Sequence, residues 1–335
     1  MSDRETIDFL AGVQLFQGQE EAVLRDIVRV MRRRTLREGQ IVWRQGDEAR
    51  EMLVIAGGAL SAQLDMPGDR AVEIVRAGPC DTVGEIGLLA GGGHPTSMCV
   101  SEAATVLALG RLDFAALLAG QHPSAFSLKR RLAVLLTARL RTQVRHLAVA
   151  LGGEAAGPGA EVPTRDCGDL EDSRAPDSKY IRRMATFHDF EPVALWGFLT
   201  SGRYVMCPRG RLLLAEGAPS PAYYLTINGA VEQVLVRGDR RIRVGLAGPG
   251  KAFGYEGLID GRPAPVTAIA RERVLLLVVP RELFARLFNG EDAVSRGFLD
   301  AIQKDQMLTV RETLRPFTRL AASVQSTRPW LRAAS

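Results

Sequence analysis

The stretch Arg37-Glu38-Gly39-Gln40-Ile41-Val42-Trp43-Arg44-Gln45-Gly46-Asp47 decides the fold, because its two glycines return later in the chain with the same spacing. Gly39 and Gly46 recur as Gly210 and Gly217, both at an offset of 171 residues. The repeat extends outward: Phe16 and Gly58 recur as Phe187 and Gly229 at 171, and Gly78, Gly84, Phe114 and Gly120 recur as Gly248, Gly254, Phe284 and Gly290 at 170. Repetition at a fixed offset predicts two copies of one domain. Repeated glycines mark backbone positions that need a positive φ or a close approach, so the copies share a turn skeleton.

Composition predicts a globular protein of two or three domains, since 335 residues with 46% hydrophobic and 24% charged content are ordinary for that class. The longest apolar runs, such as residues 274–279, are too short to cross a bilayer, and the first 20 residues carry acids where a secretory signal would be apolar. We therefore expect a cytoplasmic protein. The four cysteines, Cys80, Cys99, Cys167 and Cys207, lie far apart, which predicts thiols with neither a metal site nor a disulfide framework.

The distribution of charge predicts the domain boundaries better than the net charge of +5 does. Residues 126–153 hold six basic side chains and no acid, which we interpret as a solvated helix face. Residues 152–178 hold seven acids and are rich in Gly, Pro and Ala, as is typical of a flexible linker. We predict a first domain over residues 1–151, an acidic linker over 152–178, a second domain over 179–325 and a tail over 326–335.

Each copy is predicted to start with a helix and to continue into short strands cut by glycine. The predicted helices are Glu20–Met31 and Pro192–Thr200, and the predicted strands are Gln40–Trp43, Glu51–Ile55, Ala59–Leu64, Val72–Val75, Arg211–Leu214, Ala222–Ile227, Ala230–Val236 and Ile242–Leu246. Many short strands at turn-rich intervals favour a jelly-roll barrel.

A closing helix is predicted after each set of strands, over Ser124–Leu151 and over Asp300–Val324, the latter broken by Pro316. The first of these carries an apolar stripe at helical spacing, formed by Leu128, Leu132, Leu136, Leu140, Val144, Leu147 and Leu151. Such a stripe exceeds what covering a barrel mouth needs, so we expect a homodimer.

The ordered motifs of both copies resemble the cyclic-nucleotide-binding domain family, the module of the catabolite activator protein and of protein kinase A regulatory subunits. The first copy carries Arg37-Glu38-Gly39-Gln40-Ile41, Arg44-Gln45-Gly46-Asp47, Val54-Ile55-Ala56-Gly57-Gly58-Ala59 and Gly84-Glu85-Ile86-Gly87-Leu88-Leu89; the second carries Arg209-Gly210-Arg211, Ala215-Glu216-Gly217-Ala218, Leu225-Thr226-Ile227-Asn228-Gly229-Ala230 and Gly248-Pro249-Gly250-Lys251-Ala252-Phe253-Gly254. The resemblance implies a mainly β fold with flanking helices: two tandem double-stranded β-helix (jelly-roll) barrels, each followed by a helix.

The resemblance also implies a phosphate-binding cassette in which a glycine, a glutamate, a short helix and an arginine wrap a cyclic phosphate and its ribose. Amides at a helix N-terminus and an arginine bind the anion, and the glutamate accepts from the ribose hydroxyl. In the first copy the candidate ligand-binding residues are Gly84, Glu85, Ile86, Gly87, Leu88, His94, Thr96, Ser97 and Gln143. Gln143, beside Thr142, falls near the position on the closing helix that contacts the base in dimeric members, where an ordinary helix surface is the alternative.

The arginine is missing from the first copy, because its place falls at His94 by one count and at Thr96 by another. With an ordinary pKa of about 6.5, His94 would be mostly neutral in the cytoplasm; alternatively it is an exposed loop histidine. Loss of the arginine costs about 1.5 to 3 kcal/mol, or one to two decades of affinity. A weakly bound cyclic nucleotide (cAMP or cGMP), a less charged nucleoside, and no ligand at all stay open.

The second copy departs further from the pattern and is predicted to be degenerate. Tyr255 stands where the glutamate belongs, Glu256 lies one residue late, and Ala264 or Val266 occupies the arginine position. The candidate residues in this copy are Gly254, Tyr255, Glu256, Arg262 and Thr267, and Arg262 is either a swinging phosphate ligand or a solvated charge in a surface turn.

The leading hypothesis is a non-enzymatic sensor that binds a nucleotide-type small molecule in its first domain and signals to a protein partner. The alternative is a ligand-independent interaction scaffold built from degenerate domains. The sequence gives no support for an enzyme, because it shows neither a nucleophile grouped with His and Asp nor a Walker loop. No cofactor is expected. About 45 residues, 291–335, follow the second barrel, and they contain no helix-turn-helix pattern, so direct DNA binding is not expected.

Overall fold

Two compact units, residues 1–135 and 136–335, make up the chain. A computed structural model describes residues 2–66, 70–89, 93–120, 123–150, 170–188, 190–237 and 240–314. The boundary between the units falls inside the long helix that follows the first set of strands, whereas the sequence pattern placed this whole helix in the first domain. The second half of that helix therefore belongs to the second unit.

The first unit is an antiparallel jelly-roll barrel flanked by helices. Its elements are α1 (Asp3–Gly12), α2 (Glu21–Val30), β1 (Arg32–Leu36), β2 (Ile41–Trp43), β3 (Glu51–Met66), β4 (Arg70–Ala77), β5 (Thr82–Val83), α3 (Glu85–Leu89), β6 (Ser97–Gly110), α4 (Arg111–Ala119) and the first half of α5 (Pro123–Ala150). The strands pair in the order β1-β6-β3-β4, with β2 on β6 and β5 on β3. A core that includes Leu53, Leu60 and Val106 fills the barrel.

The second unit repeats this order in two sheets. Its elements are the second half of α5, β7 (Glu171–Asp172), α6 (Ser178–Arg182), a 3₁₀ turn (Ala185–Phe187), α7 (Pro192–Leu199), β8 (Arg203–Cys207), β9 (Leu212–Leu214), β10 (Ala222–Asn228), β11 (Val231–Arg237), β12 (Arg240–Ala247), β13 (Ala252–Phe253), α8 (Glu256–Asp260), β14 (Thr267–Ala270), β15 (Val274–Pro280), α9 (Arg281–Asn289) and α10 (Ala293–Glu312). The sheets run β13-β10-β15-β8-β7 and β12-β11-β14-β9. The predicted architecture of two barrels, each followed by a helix, is confirmed.

Glycines set the backbone turns in both copies, as predicted. The four pairs Gly39/Gly210, Gly46/Gly217, Gly58/Gly229 and Gly84/Gly254 all have positive φ, whereas the pairs Gly78/Gly248 and Gly120/Gly290 do not. At Gly58 a side chain is also sterically excluded, because a Cβ atom would lie 2.1 Å from the carbonyl oxygen of Ala103. The pairing between β3 and β6 shifts register near Gly57 and Gly58. β3 therefore continues through these glycines, which we expected to separate the strands Glu51–Ile55 and Ala59–Leu64.

Helices account for most differences from the sequence expectations. The predicted helices near α2, α5 and α7 are present, but α1, α4 and α9 were not predicted. α1 is stabilised by a capping box, in which the Glu5 amide donates to Ser2 Oγ and the Ser2 amide donates to the Glu5 carboxylate. α10 begins at Ala293, before the predicted start at Asp300, and the predicted break at Pro316 lies outside the described residues.

The acidic stretch predicted to be a linker is partly folded. Residues 152–169 lie outside the described part of the chain, but Glu171–Asp172 pairs with β8 and Ser178 begins α6. The second sheet therefore begins before residue 179, where we had placed the start of the second domain.

The apolar stripe of α5 is buried within the single chain. Its described members are Leu128, Leu132, Leu136, Leu140, Val144 and Leu147, all of them core residues, and Leu151 lies outside the described residues. The expectation of a homodimer depended on this stripe needing a second copy to cover it, and that reason is removed. Across the described ranges, no helix has both the length and the apolar composition needed to cross a membrane.

Candidate ligand-binding site

The cassette of the first barrel is built on Gly84. This residue has a φ of +92°, and a Cβ atom there would lie 2.9 Å from the Glu51 carbonyl oxygen on β3. Only glycine fits this turn, which leads directly into α3 at Glu85. The Glu85 side chain is 1% exposed, and Gly87 and Leu88 are buried beside it. The predicted residues from Gly84 to Leu88 therefore form one compact turn around a buried carboxyl group.

His94 lies against this turn, and it is buried. The residue is only 5% exposed, and its ring stacks on Trp43 with centroids 4.1 Å apart and planes 10° apart. A Cβ atom at Gly87 would lie 3.0 Å from His94 Nδ1, so the imidazole packs directly on α3. The interpretation of His94 as an exposed loop histidine is wrong.

Burial lowers the pKa of His94 below its ordinary value of 6.5, against the opposing effect of the Asp47 and Glu51 carboxylates. Without a bound anion the imidazole is therefore mostly neutral at physiological pH, whereas an arginine stays charged. Thr96, at the other candidate position, accepts a hydrogen bond from Trp43 Nε1 through its carbonyl oxygen at 3.1 Å.

Ser97 has a structural hydrogen-bonding role that Thr267 repeats in the second copy. Ser97 Oγ donates to Asp65 Oδ2 at 2.7 Å and accepts from the main-chain N–H of Gln45 at 2.8 Å. Thr267 Oγ1 accepts from the Glu216 amide at 3.0 Å in the same place. Both hydroxyl groups hold the turn that contains the repeated Gly46 or Gly217.

The second cassette has the same backbone but different side-chain chemistry. Gly254 has a φ of +80°, and a Cβ atom there would lie 2.9 Å from the Ala222 carbonyl oxygen, as at Gly84. Tyr255, 1% exposed, occupies the glutamate position, and its hydroxyl donates to Asp305 Oδ2 at 2.8 Å. Asp305 Oδ1 also accepts from the Ala252 amide at 3.1 Å. This cassette is thus tied to α10 by the protein's own side chains.

Two buried carboxyl groups lie at this junction. Burial raises the pKa of Asp305 to about 6, although the hydrogen bonds from the Ala252 amide and Tyr255 lower it. Burial likewise raises the pKa of Glu256 to about 7, with Arg141 acting in the opposite direction. Glu256 is therefore a core group of α8.

A cation from α5 binds at the second cassette, and sequence reasoning missed it. Arg141 donates to both oxygens of Asp260 at the end of α8, at 2.5 and 2.9 Å. It also donates to the carbonyl oxygens of Pro263 at 2.7 Å and Arg262 at 3.4 Å. We interpreted the basic residues of α5 as a solvated face, but the Arg141 and Asp260 side chains are only 15% and 13% exposed. The Arg262 side chain itself is exposed.

Gln143 contacts α10. Its amide oxygen accepts a hydrogen bond from Thr313 Oγ1, and both side chains are buried. A contact between Gln143 and a ligand stays a prediction. Neighbouring Thr142 is half-buried, and its hydroxyl donates to the Ala138 carbonyl oxygen at 3.1 Å.

Comparison with known families decides the identity of both barrels. The cyclic nucleotide-binding domain family matches residues 33–121 and again residues 204–291, more than half of the chain. The chain belongs to the cyclic nucleotide-binding domain family.

Several members of this family resemble the chain in part. The cyclic nucleotide-gated potassium channel mll3241 of Mesorhizobium japonicum is 36% identical over 107 residues, which are 31% of this chain and 28% of the channel, so the chain spans less than a third of that relative. The regulatory domain of Toxoplasma gondii protein kinase A, solved with cAMP, is 16% identical with a TM-score of 0.35, covering 85% of this chain and 91% of that one. A cyclic nucleotide-binding-like protein from Brucella abortus is 25% identical with a TM-score of 0.31, covering 35% of this chain and 99% of that one.

Membership in the cyclic nucleotide-binding domain family makes the difference between the two cassettes informative. The first keeps the glycine and the glutamate, whereas the second keeps only the glycine and replaces the glutamate with a tyrosine bound to Asp305. The part of the chain described by the structure contains no cluster of His, Cys, Asp and Glu side chains placed to hold a metal ion.

Proposed function

We propose that this protein is a non-enzymatic regulatory sensor that binds a nucleotide-type small molecule in its first barrel and signals through the helices that follow. Membership in the cyclic nucleotide-binding domain family supports the ligand class. One observation carries the proposal: Gly84 and Glu85 keep the cassette turn, with the carboxyl group buried at the start of α3. A carboxylate at the start of this short helix can accept hydrogen bonds from ribose hydroxyls.

The electrostatics of the first cassette favour a ligand with little charge. Of the two candidate arginine positions, His94 is neutral and Thr96 is not ionisable. A cyclic monophosphate would lose about 1.5 to 3 kcal/mol without the charged donor. A purine nucleoside makes the ribose contact to Glu85 without that loss, so we place nucleosides ahead of cAMP and cGMP.

Signalling to a partner requires two arrangements of the helices with different affinity for the ligand. α5 comes after the first barrel and α4 and continues into the second unit, which makes it the element best placed to carry such a change. The recipient that we propose is a protein partner in the cytoplasm.

A thermal-shift titration tests this proposal. The full chain is titrated with adenosine, guanosine, cAMP, cGMP and cyclic dinucleotides, since a ligand at a hundredfold its dissociation constant stabilises the folded state by about 2.7 kcal/mol. We expect a saturable shift with a nucleoside that is lost in Glu85→Ala. Tyr255→Phe is the matched control, because it alters the same cassette position of the second copy and should leave the ligand-induced shift intact.

A second candidate function, a ligand-independent scaffold, is favoured by the second cassette. There the Tyr255 hydroxyl donates a hydrogen bond to Asp305, so the chain's own side chains bind the groups that a ligand would otherwise contact. A flat response of the wild-type protein to the whole panel would support this scaffold and contradict the sensor.

A further inference from the structure

Helices α5 and α10 are the same element in the two copies. α5 begins at Pro123 and α10 at Ala293, an offset of 170 that equals the offset of the second half of the repeat. Equivalent positions are buried along one stripe of α5 and of α10 with its C-terminal end, where Thr313 is the C-cap. The equivalent pairs are Leu136 and Gln306, Thr137 and Met307, Leu140 and Val310, Gln143 and Thr313, and Val144 and Leu314. The two helices therefore bury the same face.

Two buried hydrogen bonds show that these faces meet each other. Gln306 Nε2 donates to Thr137 Oγ1 at 2.9 Å, and Thr313 Oγ1 donates to Gln143 Oε1. The partners are 169 and 170 residues apart, so the contact advances along both helices in the same direction. A constant difference in residue number defines a parallel pair in register, whereas an antiparallel pair would give a constant sum.

The pairing of α5 with α10 resembles a contact across a two-fold axis, because equivalent positions meet. Gln143 and Thr313 occupy the same position in the two copies, and they hydrogen-bond to each other. In an isologous interface between identical subunits, a position close to the axis likewise meets its own counterpart. Buried polar pairs of this kind fix register and partner choice in helix pairs, at some cost in stability.

We propose that α5 and α10 form an intramolecular counterpart of a homodimer interface, so that the chain is monomeric and its dimerisation surface is already occupied by its own second copy. A covalent tether presents α10 to α5 at an effective concentration in the millimolar range, well above that of a second chain. Arg141 strengthens this arrangement, because its bidentate contact with Asp260 holds the same segment of α5 on α8. The apolar stripe that predicted a homodimer is satisfied within the chain.

Light scattering coupled to size exclusion tests the proposal on the wild-type protein. We expect the mass of one chain, 36.4 kDa, over a hundredfold range of concentration. A mass that rises to twice this value would overturn the proposal. Neither outcome depends on a ligand, so failure here is distinct from failure of the proposed sensor function.

Disulfide trapping tests the register. Gln143→Cys combined with Thr313→Cys should form a disulfide within one chain, located by peptide mass spectrometry so that the native cysteines do not confuse the result. Gln143→Cys combined with Gln306→Cys is the matched control: it is seven residues out of register, about 10 Å along the helix, beyond the span of a disulfide. Equal cross-linking of both pairs, or a 143–313 bond found only between chains, would contradict the proposal. The wild-type mass decides the question if a variant does not fold.

Discussion

Tyr255→Phe removes the hydroxyl group that ties the second cassette to α10, and its effect should depend on pH. In the wild-type protein the hydroxyl donates to Asp305 Oδ2 at 2.8 Å inside the core. Burial raises the pKa of Asp305 from 3.8 to about 6. Because the folded state then holds this proton more tightly than the unfolded state, the stability due to Asp305 is full below pH 3.8 and is lost as the pH rises through 6.

The size of the effect follows from the charge of the acceptor. Above the pKa the hydroxyl group donates to a carboxylate, a bond with a net value of about 2 kcal/mol, and below it to a neutral acid, with a net value of about 1 kcal/mol. The variant should therefore lose about 2 kcal/mol at about pH 8 and about 1 kcal/mol at about pH 5. For a domain of this size, 1 kcal/mol corresponds to about 2 to 4 °C in the midpoint of thermal unfolding.

The assay is thermal unfolding of the full chain at both pH values, with Tyr204→Phe as the matched control. The Tyr204 hydroxyl is also buried but donates to the uncharged Leu199 carbonyl oxygen at 3.0 Å, so its loss should cost the same at both pH values. Lys251, Glu256 and Glu312, which also face this junction, are present in all three proteins and contribute equally. A loss in Tyr255→Phe that does not grow with pH would refute the assignment of Asp305 as the charged acceptor.

Two further predictions concern the remaining buried charges and His94. Arg141→Ala should lower the stability of the second unit by about 2 kcal/mol, because the partly buried Asp260 carboxylate loses its bidentate partner. The ion pair of Arg29 and Asp26, which are 69% and 71% exposed, offers the control Arg29→Ala, with an expected change under about 0.5 kcal/mol. Comparable losses in both variants would contradict the importance of the Arg141–Asp260 pair. The lowered pKa of His94 means that the wild-type protein loses stability as the pH falls below 6.5. His94→Phe, which keeps a ring on Trp43, should therefore show a smaller drop in unfolding temperature between about pH 7.5 and about pH 5.5 than the wild-type protein does. A drop equal to that of the wild-type protein would show that His94 does not titrate in this way.

Local sequence patterns were sufficient to predict the barrels. The repeated glycines were interpreted as positive-φ positions, and four of the repeated pairs have this geometry. The strand predictions depended on alternation and turns, which are local signals. α1 was missed although Ser2 and Glu5 form a capping box, a pattern that the sequence displays openly.

Contacts between distant residues could not be predicted in the same way. Tyr255 and Asp305 are 50 residues apart, Arg141 and Asp260 are 119 apart, and Gln143 and Thr313 are 170 apart. No periodicity marks such pairs, because a side chain on a helix face has the same sequence signature whether it meets water or another helix. The stripe on α5 predicted burial correctly and could not indicate that α10 would provide the cover.

The burial of His94 illustrates the same limit for a site residue. Its position after three glycines is typical of an exposed loop, but Trp43, on the distant β2, provides a ring that stacks on it. The lowered pKa of His94 follows from its burial and not from the loop sequence.

Calorimetric titration of the full chain with guanosine, adenosine and their 3′,5′-cyclic monophosphates tests the central claim most directly. The first cassette keeps Glu85 without a cation at the arginine position, so one of the nucleosides should bind, and its cyclic monophosphate should bind about ten- to a hundredfold more weakly. Tighter binding of a cyclic monophosphate, retained in Glu85→Ala, would contradict the account.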